Sequence, residues 1–398
     1  MYSGHGLHIE DWVRYALKEF KGTSVNFKSP YIGRITDKVI FFPRVGKGDI
    51  LLTTKIPKLS LSKGLYILPD SAKADSDRNK SIIYLCRQAF DELKEGDIIK
   101  ATPDGSIQVL WEESSSDNVI FTTDFCNSAC IMCPQIPRGE PFSYFEQNLR
   151  MLSLVKDSRK LHSIGITGGE PTIFKDEILK ILTECYSKFP SVPIEMLTNG
   201  KNFDDFKFAK SCVLAHPRTT FCIPLYASYS EKHDYIVGAD GSFEKTIKGI
   251  YNLTRLRQNI EIRIVILKHN YQDLPVLIDY IYHNMPFVSH VAIMGMEITG
   301  MAKSNCEEVW VDPTAYQDEL KKSVLMLKRY NLPFSIYNLP RCLLEKKLWG
   351  YDRDSISKWK KVYLEKCGNC KEKERCCGVF ATSSKQSSNI KPISYSQR

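Results

Sequence analysis

The stretch Cys126-Asn-Ser-Ala-Cys130-Ile-Met-Cys133 follows an apolar run at Val119–Thr123 and places three cysteines close together. Three thiolates can bind three irons of a four-iron, four-sulfur cluster, because such soft ligands favour iron–sulfur assembly. The fourth iron then lacks a protein ligand, and an open position lets a metal bind a second molecule, as in catalytic zinc sites. Zinc with a distant fourth ligand and purely structural cysteines are the alternatives that this trio alone leaves open.

A glycine-rich turn, Gly165-Ile-Thr-Gly-Gly-Glu-Pro171, closes the next predicted strand. Gly168 and Gly169 allow the backbone to approach a ligand closely, because they carry no Cβ atom. The carboxylate of Glu170 can accept a hydrogen bond from an ammonium group. Glycine-rich turns of this kind are common in α/β folds. Here the turn ends the strand that follows the cysteine trio, which favours one ligand-binding site formed by both motifs.

Apolar runs alternate with helical patterns from residue 118 onwards. The predicted strands are Val119–Thr123, Ser163–Thr167, Ile194–Leu197, Thr220–Leu225, Ile262–Leu267 and Val291–Met296. The predicted helices are Tyr144–Leu154, Asp176–Phe189, Phe203–Leu214, Phe243–Leu256 and Leu274–Tyr282. This alternation predicts an α/β fold with a parallel sheet covered by helices. Six strands are too few for a closed eight-stranded barrel, so we expect an open, partial (β/α)6 TIM-like barrel that binds ligands beyond the carboxyl ends of its strands.

Three domains are expected: a β-rich N-terminal domain at 1–115, the partial barrel at 118–302, and a C-terminal cysteine-rich extension at 303–398. The elements predicted in the first domain are strands at Val39–Phe42, Ile50–Thr54, Asp97–Ala101 and Ile107–Trp111 and helices around Ile9–Phe20 and Ile82–Leu93. The turn sequence Thr102-Pro-Asp-Gly105 predicts a hairpin between the last two strands.

The composition of the 398-residue chain, with 43% hydrophobic and 25% charged residues, is ordinary for a globular protein. No apolar run reaches membrane-spanning length and the first residues lack the features of a secretory signal, so we expect a cytoplasmic protein. Thirteen cysteines are many for that reducing compartment. There they indicate metal ligands or reactive thiols before disulfides.

A second cysteine group lies near the C-terminus and comprises Cys342, Cys367, Cys370, Cys376 and Cys377. A CxxC pair with further cysteines nearby is typical of metal sites, and four thiolates could close either a zinc site or a second cluster. The same segment is basic, with 14 Lys and Arg against six Asp and Glu from residue 339 to the end. Such a segment is typical of a nucleic-acid-binding surface or, as we favour here, of the surroundings of an anionic cluster.

The pairing of CxxxCxxC with Gly-Gly-Glu on successive strands resembles the radical S-adenosylmethionine (SAM) superfamily. The resemblance implies that the cysteine trio holds a [4Fe-4S] cluster whose open iron is chelated by SAM. One electron then cleaves the sulfonium and yields a 5′-deoxyadenosyl radical, which takes a hydrogen atom from the substrate. The resemblance also implies that Gly168, Gly169 and Glu170 contact SAM. Met132 stands where the family usually has an aromatic residue against the adenine.

Weaker predictions concern polar residues at other strand ends. Asn199, in Leu197-Thr-Asn-Gly200, lies in a stretch that resembles a polar strand end near SAM. Ser228 follows the fourth strand, and Arg263 and Asn270 lie on and after the fifth. Each can contact the ribose or carboxylate of SAM, and the alternative for each is an ordinary polar loop group. Cys306 is a candidate ligand or radical-quenching thiol, and no residue stands out as the catalytic base.

The second cysteine group resembles the SPASM or twitch extensions of this superfamily, which hold auxiliary clusters. The resemblance leads us to expect one auxiliary [4Fe-4S] cluster. Its predicted ligands are Cys342, Cys367, Cys370 and Cys376, with Cys377 as the competing fourth ligand. Structural zinc is the alternative occupant of this site.

Several stretches together resemble the radical SAM maturases of the His-Xaa-Ser system, the HxsC family. They are Asn127–Pro134, Gly165–Pro171, Ile223–Tyr226 with His233-Asp234, Gly241–Phe243, Asn338–Cys342 and Cys376–Phe380. This resemblance implies a ribosomally made peptide substrate with His-Xaa-Ser repeats, encoded nearby, a second maturase of the same system, and a reductant such as flavodoxin or ferredoxin. The alternatives are a radical SAM enzyme that acts on RNA or a small molecule, and a zinc protein that binds nucleic acid.

Overall fold

The computed structural model describes residues 17–37, 49–54, 65–72, 80–136, 140–156 and 160–394. The chain divides into two compact units. The first contains residues 1–122, 143–167 and 176–194, and the second contains residues 123–142, 168–175 and 195–398. Each unit has its own cluster of buried apolar side chains, around Ile67 and Ile99 in the first and around Ile236 and Leu267 in the second.

An eight-stranded sheet forms the N-terminal part of the first unit and confirms the predicted β-rich region. Its strands are β1 (Lys18–Lys21), β2 (Thr23–Val25), β3 (Tyr31–Thr36), β4 (Asp49–Leu52), β5 (Leu65–Pro69), β6 (Ser81–Leu85), β7 (Ile98–Ala101) and β8 (Ser106–Trp111). Their order across the sheet is β1-β8-β7-β3-β4-β5-β6-β2. Helix α1 (Arg87–Glu92) follows β6 and packs its buried Ala89 and Phe90 into the same apolar cluster.

Two predictions in this region have different outcomes. Strands β7 and β8 pair antiparallel, as predicted, and Gly105 adopts the positive φ of 86° that their turn uses. The helix predicted at Ile82–Leu93 is wrong in its first half, because Ser81–Leu85 is a strand. The β-branched side chains of Ile82 and Ile83 are buried in the sheet, and such side chains fit a pleated surface better than a helix.

Two other predictions fall largely on residues that the structure does not describe. The strand predicted at Val39–Phe42 lies wholly outside the described residues. The helix predicted around Ile9–Phe20 lies outside them up to residue 16, and its described end is wrong, because residues 18–20 belong to strand β1.

A second eight-stranded sheet carries the candidate site. Its strands are β9 (Asp117–Phe121), β10 (Ser163–Thr167), β11 (Ile194–Leu197), β12 (Thr219–Pro224), β13 (Asn259–Val265), β14 (His290–Met294), β15 (Phe334–Tyr337) and β16 (Asp352–Arg353). They are arranged in sequence order from β9 to β16, and the described registers are parallel. Because β9 and β16 are its two edges, the sheet is open, which confirms the partial TIM-like barrel.

The predicted helices are present, with ends displaced by a few residues. The helices are α2 (Phe145–Leu154), α3 (Lys175–Lys188), α4 (Phe206–Ala215), α5 (Ser230–Val237), α6 (Ser242–Arg255), α7 (Leu274–Asn284), α8 (Gly300–Ser304), α9 (Cys306–Val309) and α10 (Gln317–Arg329). Two short strands, β17 (Lys361–Val362) and β18 (Val379–Phe380), pair antiparallel in the cysteine-rich segment. Within the described ranges, no helix is long and apolar enough to cross a membrane.

The sheet has two strands more than the six that the sequence predicts. Strand β15 has four residues and β16 has only two, Asp352 and Arg353. A polar pair of this kind shows no alternation of apolar and polar residues, which is the signal on which strand prediction depends.

Strand β13 shows how the two faces of this sheet differ. Ile260, Ile262 and Ile264 are fully buried on one face, whereas Glu261 and Arg263 alternate with them and are partly exposed. This alternation follows from the period of two in a strand. Helix α6 packs against β13, so the isoleucines form part of the core, and the polar side chains lie on the other face.

Helix α10 offers a matched test of this core. Leu320 is fully buried, whereas Leu325 on the same helix is 58% exposed. We expect Leu320→Ala to lower the free energy of unfolding by about 2–5 kcal/mol, because it removes buried methyl groups and leaves a cavity. Leu325→Ala should change it by no more than about 0.5 kcal/mol. Urea denaturation of both variants measures the difference, and equal losses would contradict this placement of the helix.

Candidate functional site

The cysteine loop begins at the carboxyl end of β9, where Thr123 fixes its first residues. The hydroxyl of this fully buried threonine donates to the carbonyl oxygen of Phe142 at 2.5 Å and accepts from the backbone N–H of Phe125 at 3.0 Å. Further on, the N–H of Cys133 donates to the carbonyl oxygen of Cys130 at 3.1 Å and forms a turn. The backbone of the loop is therefore held both before Cys126 and between Cys130 and Cys133.

The three thiols of this loop are close enough to influence one another. Burial raises the pKa of Cys126 to about 12, and the neighbouring charges of Glu170 and Cys133 add to this effect. Burial also raises the pKa values of Cys130 and Cys133, and the nearby Cys133 and Cys126 thiolates raise that of Cys130 further. Without a bound cation these thiols stay protonated at neutral pH. The positive charge of a metal centre would favour the thiolate over the thiol, so these three cysteines fit a thiolate-ligated cluster.

A single metal ion is a different case. Among the described residues, no three His, Cys, Asp or Glu side chains are arranged so as to hold one metal ion. That finding concerns single ions. In a four-iron cluster each thiolate binds a different iron, so the sulfur atoms stand farther apart than the ligands of one zinc ion.

The Gly-Gly-Glu turn is pressed against the cysteine loop. The N–H of Gly169 donates to the carbonyl oxygen of Thr123 at 2.7 Å, and the N–H of Glu170 donates to that of Phe125 at 3.0 Å. A Cβ atom at Gly169 would lie 2.2 Å from the carbonyl oxygen of Phe125, so only glycine fits there. The structure thus brings together the two motifs that the sequence singled out.

Glu170 is fully buried, and its carboxylate joins this turn to the end of β11. Its Oε1 accepts from the N–H and hydroxyl of Thr172 and, at 2.7 Å, from the hydroxyl of Thr198. Its Oε2 accepts from the N–H of Asn199 at 2.7 Å. Among the described residues Oε2 has this one donor, and a carboxylate oxygen can accept a second hydrogen bond. The predicted contact of Glu170 with an ammonium group stays a prediction that this geometry permits.

The segment after β11 reaches back to the cysteine loop. The amide of Asn199 donates to Oδ1 of Asn127 at 2.7 Å, which places Asn199 beside the cysteine loop, and its contact with SAM stays a prediction. The ammonium group of Lys201 donates to the carbonyl oxygen of Asn127 at 2.7 Å and to the hydroxyl of Ser128 at 2.8 Å. Burial lowers the pKa of Lys201, and the neighbouring Cys126 and Glu170 oppose this shift.

Lys201 is a residue that sequence reasoning missed. It is 7% exposed, although lysine is among the residue types least often buried. The one signal in the sequence was its position directly after Asn199 and Gly200. Gly200 has a positive φ of 80°, and this turn directs the chain back towards the loop.

Helix α5 supports the loop from a second side. The N–H groups of Ala129 and Ile131 donate to the last carbonyl oxygens of α5, at Val237 and Ile236, both at 3.0 Å. A Cβ atom at Gly238 would lie 2.4 Å from the carbonyl oxygen of Ala129, which requires glycine at this position. The unpaired end of the helix thereby satisfies backbone groups of the loop.

Helix α8 and the residue after it support the loop from a third side. The N–H of Met301 donates to the carbonyl oxygen of Cys133 at 2.8 Å, and the amide of Asn305 donates to that of Ile131 at 2.9 Å. Cys306 packs, partly buried, against an apolar cluster that contains Met132. Met132 is 5% exposed, so it belongs to this cluster, and its contact with adenine stays a prediction.

The remaining predicted SAM contacts lie at separate places. Ser228 is half-buried after β12. Asn270 is buried and bonds to backbone at both ends of its amide, to the N–H of Leu267 at 2.9 Å and to the carbonyl oxygen of Val265 at 3.0 Å. This pattern is that of a turn-forming residue. Arg263 lies in the middle of β13, where its Nε donates to Glu261 at 2.7 Å.

The second cysteine group surrounds one small cavity. The cysteines that line it are the four predicted ligands, Cys342, Cys367, Cys370 and Cys376. Burial raises the pKa of Cys342, and the other three cysteines add to the effect, so the four sulfur atoms face a common space. The N–H of Ile393 donates to the sulfur of Cys370 at 3.3 Å.

Cys377 differs from these four. It is buried and does not line the cavity. The thiol of Cys377 donates to the carbonyl oxygen of Gly378 at 3.3 Å. The neighbouring Cys377 thiol and the backbone N–H groups of Gly378 and Arg341 lower the pKa of Cys376. Cys376 is therefore the thiol that is already disposed to ionise.

Arg341 braces this region. Its Nε and Nη2 donate to the two carboxylate oxygens of Asp352 at 2.8 and 3.0 Å, and its Nη1 donates to Glu372 at 2.5 Å. Bidentate pairing of this kind fixes geometry as well as charge. Since Arg341 precedes Cys342 and Glu372 follows Cys370, the pairs tie together two parts of the cysteine group.

The contact of Gly169 with the cysteine loop leads to a test. Gly169→Ala should push Phe125 and Cys126 out of place and lower the iron bound after anaerobic reconstitution, because its Cβ would overlap backbone atoms. Gly350→Ala is the matched control, since a Cβ atom at Gly350 meets nothing within 4 Å. Iron per chain is measured for both variants. Normal iron in Gly169→Ala would show that this contact does not hold the loop.

Comparisons with known proteins agree with the geometry. Residues 120–281 match the family model of the radical SAM superfamily. An uncharacterized protein of Archaeoglobus fulgidus is 25% identical over 167 residues, which are 41% of this chain and 37% of that protein. The chain thus spans little more than a third of the length of this relative.

Solved structures show a more distant likeness. SuiB of Streptococcus suis, bound to the precursor peptide SuiA, is 18% identical with a TM-score of 0.46, over 56% of this chain and 48% of that chain. The protein anSMEcpe with bound AdoMet is 14% identical with a TM-score of 0.42, over 54% of this chain and 63% of that chain. The family match covers both the cysteine loop and the Gly-Gly-Glu turn, so residues 120–281 carry a radical SAM domain, and the enzymes of this superfamily use SAM and a [4Fe-4S] cluster.

Proposed function

We propose that this chain is a maturase that cleaves SAM reductively and oxidises or cross-links side chains of a ribosomally made peptide with His-Xaa-Ser repeats. The observation that carries the proposal is that the second unit contains two cysteine centres, with the four cysteines of the second around one cavity. The resemblance of the sequence to His-Xaa-Ser maturases supports the substrate class. We further propose the domain boundaries 1–115, 118–302 and 303–398.

A cavity beside the second cysteine centre is the place where we propose that a peptide side chain binds. Ile266 and Met296, just beyond the ends of β13 and β14, form part of its wall. It shares lining residues with the cysteine cavity, among them Pro340 and Val379. In open parallel sheets, ligands bind beyond the carboxyl ends of the strands. A peptide side chain in this cavity would lie next to the second centre.

The proposed roles of the site residues follow from their contacts. Cys126, Cys130 and Cys133 would hold the SAM-binding cluster, and when bound, the cluster and SAM supply one-electron cleavage of SAM and abstraction of a hydrogen atom from the substrate. Gly169 lets the turn approach the loop, and Glu170 has the capacity to accept from the ammonium end of SAM. The apolar cluster around Met132 keeps water from this side of the loop, which is the task of the protein in such chemistry.

The second centre would hold the auxiliary cluster. Cys342, Cys367, Cys370 and Cys376 are its proposed ligands, because these four line the cavity and Cys377 does not. Four thiolates leave no open position on a cluster, so its proposed tasks are to accept an electron from the substrate or to bind the peptide nearby. A reductant such as flavodoxin or ferredoxin is the proposed electron donor to the enzyme.

The first test concerns SAM cleavage. Cys126→Ala should abolish the formation of 5′-deoxyadenosine, because it removes one of three ligands of the proposed SAM-binding cluster. Cys86→Ala is the control, since Cys86 is exposed and belongs to the first unit. Deoxyadenosine is measured by chromatography with dithionite as reductant. Cleavage by Cys126→Ala at the rate of the unchanged enzyme would show that the trio is misassigned.

The same assay tests the substrate class. A peptide with His-Xaa-Ser repeats should stimulate deoxyadenosine formation and change in mass by loss of hydrogen. RNA of similar charge should do neither. Stimulation by RNA alone would overturn the peptide proposal and leave the SAM site intact.

A matched pair of variants tests the proposed ligands of the auxiliary cluster. Cys376→Ala should lose the iron of the second centre, whereas Cys377→Ala should keep it, because Cys376 faces the cavity and Cys377 does not. Both should still cleave SAM. Iron and zinc per chain are measured after reconstitution. Loss of iron in Cys377→Ala alone would reverse the assignment, and zinc in place of iron would contradict the auxiliary cluster.

A further inference from the structure

Lys201 is a buried cation on the wall of the proposed SAM-binding cluster site. It begins the 3₁₀ helix Lys201–Asp204 that follows β11. Its ammonium group contacts the carbonyl oxygen of Asn127 and the hydroxyl of Ser128, which lie between Cys126 and Cys130. Its side chain therefore bonds directly to the short stretch that joins two of the three proposed ligands.

The position of Lys201 is set by the backbone around it. The hydroxyl of Thr246 donates to the carbonyl oxygen of Asn199 at 2.9 Å. A Cβ atom at Gly249 would lie 2.3 Å from the carbonyl oxygen of Gly200, so α6 packs directly on the turn that precedes the lysine. A surface lysine moves its charge into water along a flexible stem. Lys201 instead points inwards from a fixed turn.

The partners of Lys201 do not balance its charge. A backbone carbonyl and a hydroxyl are neutral acceptors, and among the described residues no carboxylate forms an ion pair with Lys201. Burying a cation is unfavourable unless an opposite charge compensates it. The negative groups that act on Lys201 electrostatically are the thiolate forms of Cys126 and Cys130 and the carboxylate of Glu170. Glu170 bonds to Thr198 and Asn199 and not to Lys201 in the described structure. The charge that would balance the lysine is therefore that of the thiolates of the cluster site, together with the nearby carboxylate of Glu170.

We propose that Lys201 is a positioning residue and the counter-cation of the SAM-binding cluster, which fixes the Cys126–Cys130 loop and makes the cluster easier to reduce. The inference depends on the proposed cluster at Cys126, Cys130 and Cys133. Three thiolates give the cluster site a net negative charge, and reduction adds one more. A fixed cation in a poorly hydrated place stabilises the reduced form more than the oxidised form, and salt screens it little.

The test compares three variants of the full chain after anaerobic reconstitution. Lys201→Met keeps the length of the side chain and removes the charge, and Lys201→Arg keeps the charge. Lys245→Met is the control, because Lys245 acts on Lys201 electrostatically but is exposed and has no hydrogen bond to the loop in the described structure. The midpoint potential of the cluster is measured by redox titration with electron paramagnetic resonance. The signal of this cluster is recognised by its response to added SAM.

We expect the potential of Lys201→Met to become more negative, while Lys201→Arg and Lys245→Met stay near the unchanged protein. An unchanged potential in Lys201→Met would overturn the proposal, and so would an equal shift in Lys245→Met or in Lys201→Arg. A cluster-free wild-type chain would instead refute the proposed cluster site, which keeps the two failures distinct.

Thermal unfolding of the metal-free proteins covers the case in which Lys201→Met binds no cluster. If metal-free Lys201→Met melts as the unchanged chain does and Lys201→Arg binds the cluster, the proposal is supported. If metal-free Lys201→Met melts at a lower temperature, or Lys201→Arg also binds no cluster, the lysine has a structural role and the proposal is wrong.

Discussion

The backbone contact between Gly169 and the start of the cysteine loop is the constraint on which the site depends. Two N–H groups of the Gly-Gly-Glu turn bond to the carbonyl oxygens of Thr123 and Phe125, and the separation leaves no room for a Cβ atom. The cysteine loop thus has a fixed position relative to the Gly-Gly-Glu turn. Glu170 also bonds to Thr198 and Asn199, and these bonds link the Gly-Gly-Glu turn to the end of β11.

The loop itself has little regular structure and takes its order from its neighbours. Its carbonyl and N–H groups bond to α5, α8 and Lys201. A Cβ atom at Gly238 would lie 2.4 Å from the carbonyl oxygen of Ala129, and one at Gly300 would lie 2.3 Å from that of Pro134, so both positions need glycine for α5 and α8 to approach the loop. Buried polar groups need such partners, since an unpaired one is unfavourable. The result is a loop whose cysteines are held by contacts from several elements of the second unit, as a preorganised site requires.

The sequence predicts the parts of this protein that rest on local patterns. Strands Ser163–Thr167 and Ile194–Leu197 were predicted with the observed bounds, because apolar residues alternate there and the ends are marked by turns. Strand β16 was missed because two polar residues carry no pattern. The burial of Lys201 was missed because it results from the packing of α6 on Gly200, a contact between residues far apart in sequence. Local patterns do not encode such contacts.

Cys376 and Cys377, the adjacent cysteines of the second centre, are a further case in which the sequence alone does not show which side chain faces the cavity. Cys376 has an extended backbone, and consecutive side chains on extended backbone point to opposite sides. Only one of the two can then face the cavity. The other is buried, and its thiol donates to the carbonyl oxygen of Gly378 at 3.3 Å. The pair is therefore best understood as one proposed ligand and one buried thiol paired with backbone, whereas the sequence alone leaves two competing candidates.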